Sequence, residues 1–276
     1  MSPLWRDQIR ISLRPTQVAL LRLGKGLKPR LTAKTAVACQ PVADNAPWDG
    51  ALAALDGLLK KPEWQHADAT VVLSNGYTRF QLLPWNENIA SEEEQRAFAQ
   101  HKMAAVYGGD SSEWEMRIAE GSAKTESLAC GVRRSLLDSI AACCGNHGVR
   151  LRSVQPYLMA AYNHVRHELA KGSIWFAVAE PERVCVMLLE NGAWRSIHCR
   201  SLMADDYLAG LVTVLERERQ LAGFGDQAGR MLLYAPGITP SALASVTQTK
   251  YQLVEPASEY GLDWRTDSSF AMAASA

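Results

Sequence analysis

The stretch that decides the fold is residues 9–23, which read IRISLRPTQVALLRL. Apolar and polar residues alternate from Ile9 to Leu13, and this period of two predicts a β-strand. Pro15 and Thr16 predict a turn, because proline and short polar residues favour turns over strands. The apolar runs Val18–Leu23 and Leu31–Ala38 then predict two more strands, so the chain begins with a three-stranded meander.

A second meander is predicted from residues 174–189, which read IWFAVAEPERVCVMLL. Asn191 and Gly192 follow, a pair that favours a two-residue hairpin turn because both residues tolerate positive φ. A third strand over Ala193–Cys199 completes this meander. In each half a helix and a buried strand come next: Pro47–Leu59 and Ala69–Leu73, then a helix from about Asp206 and a strand at Met231–Tyr234. We predict a duplicated α/β fold; the alternative is a mixed α/β chain with a chance meander.

Extra material lies between the halves, at residues 77–132. Its sequence predicts a strand at Arg79–Pro84, a helix after Ser91, and strands at Trp114–Ala119 and Leu128–Val132. Ser91 followed by Glu94 is the capping-box pattern that begins a helix. We therefore predict a first lobe over residues 1–170 with a small inserted αβ subdomain packed on it, and a second lobe over residues 171–276.

Composition narrows the class of protein. The 276 residues carry 29 Lys+Arg and 29 Asp+Glu, and this zero net charge argues against nucleic-acid or membrane-surface binding. No apolar run exceeds the six residues of Val184–Leu189, far short of the roughly 20 residues that span a membrane. The six cysteines have neither paired zinc spacing nor the density of a disulfide framework. We expect a chain in the reducing cytoplasm whose cysteines act as small apolar residues.

Motifs for chemistry are few. The sequence has neither a GxxxxGK[ST] phosphate loop nor a GxGxxG loop. His164 and His167 have a spacing that metal sites use, but a third ligand is not evident. Cys143–Cys144 with His147 could form a redox or metal cluster; the alternative, which we favour, is a buried helix end. Ser74–Gly76 is predicted to be a turn and not a nucleophile elbow. We expect no metal and no cofactor.

Six segments together resemble one superfamily. They are IRISLRPTQVALLRL, VVLSNGYTRFQLLPW, SEEEQRAFAQHKMAAVYG, LRSVQPYLMAAYNHV, WFAVAEPERVCVMLLENGAWRSIHCRSL and RMLLYAPGITPSALA. The chain resembles the actin-like ATPase superfamily, and within it the PilM and GspL-type cytoplasmic proteins of type IV pilus and type II secretion systems. The resemblance implies a duplicated two-lobe, ribonuclease H-like fold with an insert in the first lobe.

The same resemblance shows what this sequence lacks. Active relatives carry an Asp-x-Gly phosphate turn in each meander and paired glycines at the adenosine motif. The matching positions here are Ser12, Arg14 and Thr16 in the first turn, Glu180 and Pro181 in the second, and Pro236 and Gly237 in the adenosine motif. Aspartate positions Mg²⁺ and water, and glycine lets backbone N–H groups approach phosphate. We expect a protein that is not an ATPase; the alternative is a divergent actin-fold ATPase or small-molecule kinase.

A partner is also implied by the resemblance. Such relatives bind a short cytoplasmic segment of a bitopic inner-membrane protein, which would hold this chain at the inner membrane; a homo-oligomer is compatible with this. We predict a docking groove between the insert and the first lobe, carried by Arg79, Phe80, Leu83 and Trp85, where the acidic start of the next helix meets a basic peptide. The alternative is that Phe80 and Trp85 belong to the core.

Overall fold

The computed structural model describes most of the chain. The described residues are 6–40, 46–89, 91–108, 110–121, 124–202, 206–221, 229–255 and 260–276. The strands are β1 (Gln8–Leu13), β2 (Gln17–Leu23), β3 (Leu31–Ala38), β4 (Asp68–Leu73), β5 (Thr78–Leu83), β6 (Trp114–Ala119), β7 (Ser127–Arg133), β8 (Arg150–Pro156), β9 (Ser173–Glu180), β10 (Arg183–Glu190), β11 (Ala193–Ser201), β12 (Arg230–Tyr234) and β13 (Gln252–Val254). The helices are α1 (Asp49–Leu59), α2 (Glu92–Tyr107), α3 (Arg134–Asn146), α4 (Tyr157–Val165), α5 (Tyr207–Leu221), α6 (Pro240–Ala244) and α7 (Ala271–Ala274).

The first sheet has the strand order β3-β2-β1-β4-β8. Strands β1 to β3 form the antiparallel meander, and β4 and β8 continue the sheet parallel to β1. Ile9, Ile11 and Leu13 are fully buried on one face. On the other side, Leu262 and Phe270 from the end of the chain join a core cluster with Ala19 and Leu21.

The second sheet repeats this topology in the order β11-β10-β9-β12-β13. The meander is again antiparallel, and β12 and β13 are again parallel to β9. Asn191 has φ 51° and Gly192 has φ 79°, which confirms the predicted hairpin turn. One face packs against α5 through Leu211 and Leu215. The predicted duplication is therefore confirmed by strand order and strand direction in both halves.

The insert is a small sheet of order β5-β7-β6 covered by α2. Ser91 and Glu94 form the predicted capping box, each side chain accepting from the other residue's backbone N–H at 3.2 Å. A Cβ at Gly131 would lie 2.8 Å from Met103 Cε and 3.3 Å from Trp114 Cε3. The absence of a side chain at Gly131 therefore lets the helix pack closely on the sheet.

Contacts group the chain differently from the predicted lobe boundaries. One compact unit contains residues 6–77, 133–164 and 260–276, and the other contains residues 78–132 and 165–255. The insert therefore belongs with the second repeat, because β5 lies beside β11. The final residues belong with the first repeat, because α7 packs on β1 and β2.

The cysteines also correct an expectation. Cys185 and Cys199 are directly opposed on β10 and β11, with Cα atoms 4.1 Å apart, and are joined in a disulfide. The other four cysteines, Cys39, Cys130, Cys143 and Cys144, are free thiols. Among the described residues, no helix combines the length and the apolar character needed to cross a bilayer.

Candidate functional site

The first predicted phosphate turn contains no Asp-x-Gly sequence. Ser12 lies in β1 and not in the turn; it is fully buried opposite Ala19. The turn closes where the N–H of Arg14 donates to the carbonyl of Gln17 at 3.0 Å. The Arg14 guanidinium also donates to the Gln17 side chain. Thr16 is in the turn itself, next to a proline that has no N–H to offer.

The second predicted phosphate turn lies between β9 and β10. Glu180 is the last residue of β9 and is 3% exposed, paired in the ladder with Arg183. Pro181 and Glu182 form the exposed two-residue connection. Neither is a glycine, and proline lacks the N–H that would cradle a phosphate. This hairpin thus presents a bulky ring where active relatives are expected to present an Asp-x-Gly turn.

The third position, at the predicted adenosine motif, is a tight turn after β12. The N–H of Ile238 donates to the carbonyl of Ala235 at 3.1 Å. Pro236 and Gly237 occupy the centre of the turn, and Gly237 has φ 92°. Proline followed by glycine at positive φ is the pattern of a type II turn. The backbone conformation therefore accounts for Gly237 without a ligand.

Cys143, Cys144 and His147, the predicted cluster, lie at the end of α3. His147 Nε2 lies 2.8 Å from Asp56 Oδ1, which joins the end of α3 to α1. Burial raises the pKa of Cys143 to about 12 and that of Cys144 to about 11, so both thiols stay protonated near neutral pH. In the described part of the chain, no group of three or more His, Cys, Asp and Glu side chains is placed to hold a metal ion.

A groove of about 420 Å³ opens on the inserted subdomain. Its apolar lining comes from the end of β5, the following loop and the first turns of α2. These apolar residues are Leu83, Pro84, Trp85, Ile89 and Phe98. All lining residues fall within residues 83–127, so this groove lies inside the insert and not, as predicted, between the insert and the first lobe.

The four predicted docking residues separate into two kinds. Trp85 is 55% exposed and lines the groove, and Leu83, 3% exposed, lies beneath it. Phe80 is 4% exposed, so the core interpretation is correct for this residue. The Arg79 guanidinium lies over the ring of Tyr107, 5.7 Å from its centroid. Neither Phe80 nor Arg79 lines the groove.

The polar lining comes from the acidic helix start that the sequence predicted and from a second segment that sequence reasoning missed. Ser91, Glu92 and Gln95 come from the start of α2, beside the predicted residue Trp85. Glu120, Gly121, Thr125 and Ser127 come from the connection between β6 and β7. This connection lies some thirty residues further along the chain, and no local pattern in the sequence links it to Trp85. Only the pairing of β7 with β5 brings it there.

Comparison with solved structures identifies the fold. A "PilM-PilN type IV pilus biogenesis complex" superposes with a TM-score of 0.68 at 12% identity, covering 97% of this chain and 96% of that chain. The cytoplasmic domain of EpsL, an inner-membrane component of the Vibrio cholerae type II secretion system, gives 0.58 at 11% identity, covering 96% and 94%. A Bacteroides thetaiotaomicron protein with an actin-like ATPase fold gives 0.56 at 10% identity, covering 87% and 86%. The chain has an actin-like fold.

The actin-like fold matches the expected class and accounts for the paired sheets of identical strand order. No family model matches the sequence, and no curated protein matches it in a sequence search. The similarity is therefore one of structure, spread over nearly the whole length of both the PilM and the EpsL chains. It confirms the resemblance to PilM and GspL-type proteins at the level of fold.

Proposed function

We propose that this protein is a non-catalytic actin-like scaffold on the cytoplasmic side of an inner-membrane platform, in a type IV pilus or a type II secretion system. The observation that carries the proposal is the near-complete overlap with a PilM chain, at a TM-score of 0.68. The overlap with the cytoplasmic domain of EpsL supports the same class of machine. The first comparison structure is a type IV pilus biogenesis complex, and EpsL is an inner-membrane component of a type II secretion system.

The non-catalytic part of the proposal is supported by the three turns. A phosphoryl-transfer site needs a carboxylate for Mg²⁺ and N–H groups that approach the phosphates. Ser12 is buried in a strand, Pro181 offers no N–H, and Gly237 is needed for its own turn. Each repeat, taken by itself, thus lacks the groups that its phosphate turn would contribute.

The docking part of the proposal is supported by the groove on the insert. Trp85 is 55% exposed at its edge, although tryptophan usually buries most of its large apolar surface. An exposed tryptophan beside a groove with a partly apolar lining is typical of an anchor for a protein partner. The proposed occupant is a short cytoplasmic segment of a single-span inner-membrane protein.

A nucleotide test separates the scaffold from the divergent enzyme. A ligand at a hundred times its Kd stabilises a protein by about 2.7 kcal/mol, which a thermal melt detects. We expect no change in the melting temperature of the full chain with millimolar ATP and Mg²⁺. A dose-dependent rise in melting temperature, accompanied by steady phosphate release, would establish the enzyme instead.

A binding test addresses the groove. The probes are synthetic cytoplasmic segments of any single-span inner-membrane proteins that the neighbouring genes encode. Trp85→Ala should lower the affinity by about thirtyfold, since losing an aromatic anchor commonly costs at least ~2 kcal/mol. Val106→Ala is the matched control, because Val106 is 58% exposed on α2 but does not line the groove. Equal affinity of a folded Trp85→Ala protein and the parent contradicts docking at this groove.

A further inference from the structure

The charged residues that line the groove are all acidic. Among the residues that line it, Glu92 and Glu120 are the charged ones, and both are exposed carboxylates. Neither forms an ion pair with any lysine, arginine or histidine in the described part of the chain. Two unpaired carboxylates at a groove whose lining is partly apolar make a surface that favours a cation.

The neighbouring acidic residues do not share this role. Glu94 is engaged in the capping box, where its carboxylate accepts from the N–H of Ser91 at 3.2 Å. Glu93 lies on the same turn of α2 but does not line the groove. The cation-favouring part of the surface is therefore formed by Glu92 from α2 and Glu120 from the end of β6, not by the acidic helix start as a whole.

Trp85 is a second feature of the groove that favours a cation. The face of an indole ring attracts cations, with arginine the commonest partner, and the interaction is worth about 0.5–1 kcal/mol at exposed sites. An arginine side chain also has a long apolar stem that packs on apolar surface while its charged end reaches a carboxylate. Pro84 and Ile89 supply such a surface beside Trp85.

The proposed partner, a cytoplasmic segment of a membrane protein, is expected to be positively charged. Cytoplasmic segments next to membrane-spanning helices carry an excess of lysine and arginine, since such segments are retained on the cytoplasmic side. A basic–apolar segment of this kind complements both the carboxylates and the apolar lining of the groove.

We propose that the groove on the insert recognises a short basic–apolar peptide segment, with an arginine or lysine held between Glu92 and Glu120 against Trp85 and a neighbouring apolar side chain placed beside Ile89 and Phe98. This inference rests on the proposed function, which supplies the peptide as occupant and leaves its chemistry open.

The test is selection from a random heptapeptide library displayed on phage, with the full chain as bait. The selected peptides should carry arginine or lysine next to leucine, isoleucine or phenylalanine. Their affinity should fall about tenfold or more for Glu92→Gln with Glu120→Gln, and fall again as NaCl rises from about 0.05 to 0.5 M. Glu93→Gln is the matched control and should bind as the parent does.

The outcomes separate the two proposals. Selected peptides without a cation that still depend on Trp85 leave the groove as a peptide site and overturn the cation preference. Basic peptides that bind equally to the parent and to the Glu92→Gln, Glu120→Gln variant also overturn it. Failure to select any peptide against the folded parent overturns the groove as a docking site altogether. A charge-reversed variant, Glu92→Lys with Glu120→Lys, should select acidic peptides if the preference is electrostatic.

Discussion

The hydroxyl of Tyr107 donates a hydrogen bond to the backbone carbonyl of Phe80 at 2.8 Å. The bond joins the last residue of α2 to the third residue of β5, while the capping box fixes the first turn of the helix. Burial raises the pKa of the Tyr107 phenol, although the nearby Arg79 guanidinium opposes this. The helix that carries Glu92 is thus bonded to the insert's sheet at its last residue and capped at its first turn.

Tyr107→Phe should lower the free energy of unfolding by about 1 kcal/mol, because the Phe80 carbonyl loses its donor while the ring remains. Urea denaturation followed by circular dichroism measures this. A Tyr107→Phe protein as stable as its parent would show that water replaces the hydroxyl without cost.

Ser91→Ala should fray the start of α2. The serine hydroxyl accepts from the N–H of Glu94 at 3.2 Å, and loss of such a cap costs about 1 kcal/mol. Ser91→Asp, which preserves a capping acceptor, should keep the parent's stability. Hydrogen exchange at the amides of Glu93 and Glu94 should quicken in the alanine variant alone; equal exchange in all three proteins would contradict the capping role.

The carboxyl group of Glu216 is expected to contribute to the free energy of unfolding in a pH-dependent way. Burial raises its pKa, but hydrogen bonds from Thr249 and Tyr251 and the charge of Arg219 outweigh this, so the pKa lies below the usual 4.5. A carboxyl whose pKa is lower in the folded state stabilises the fold above about pH 4.5, and this contribution is lost as the pH falls through the folded pKa.

Glu216→Gln should therefore cost about 1 kcal/mol near pH 7 and progressively less at acid pH, where the parent carboxyl is itself protonated. Denaturation curves of both proteins at several pH values measure the difference. Glu190→Gln, which loses only an exposed ion pair with Arg195, serves as the control. A difference that stays constant down to pH 3 would contradict the lowered pKa.

The disulfide between Cys185 and Cys199 predicts how many cysteines react with an alkylating agent before and after reduction. Alkylation of the unfolded, unreduced protein should label four cysteines, and alkylation after reduction should label six, as read by intact mass. Reduction should lower the free energy of unfolding by up to ~3 kcal/mol, the scale for a loop of this length. Six labelled cysteines before reduction would show that the two residues are paired only as packed thiols.

Local patterns in the sequence were sufficient for most of the secondary structure. The period of two in β1 and the Asn191–Gly192 pair each specify an element through residues that are close in the chain. Grouping of the insert with the second repeat was missed, because it depends on β5 lying beside β11, more than a hundred residues away. Glu120 was missed because only the pairing of β7 with β5 brings its segment near Trp85. The Cys185–Cys199 bond lies across the predicted hairpin and was missed because the cysteines were interpreted as small apolar residues.

The central claim is that this chain holds a membrane protein's cytoplasmic segment at the groove on its insert. Site-specific photo-crosslinking in cells tests it, with a benzophenone amino acid at Asn86, which lines the groove, and a control at Leu27, which is 87% exposed in the other unit. We predict that position 86, and not position 27, crosslinks to the cytoplasmic segment of a single-span inner-membrane protein, and that Trp85→Ala weakens the crosslink. Crosslinks at position 86 to soluble proteins alone, or none in a folded protein, would contradict the account.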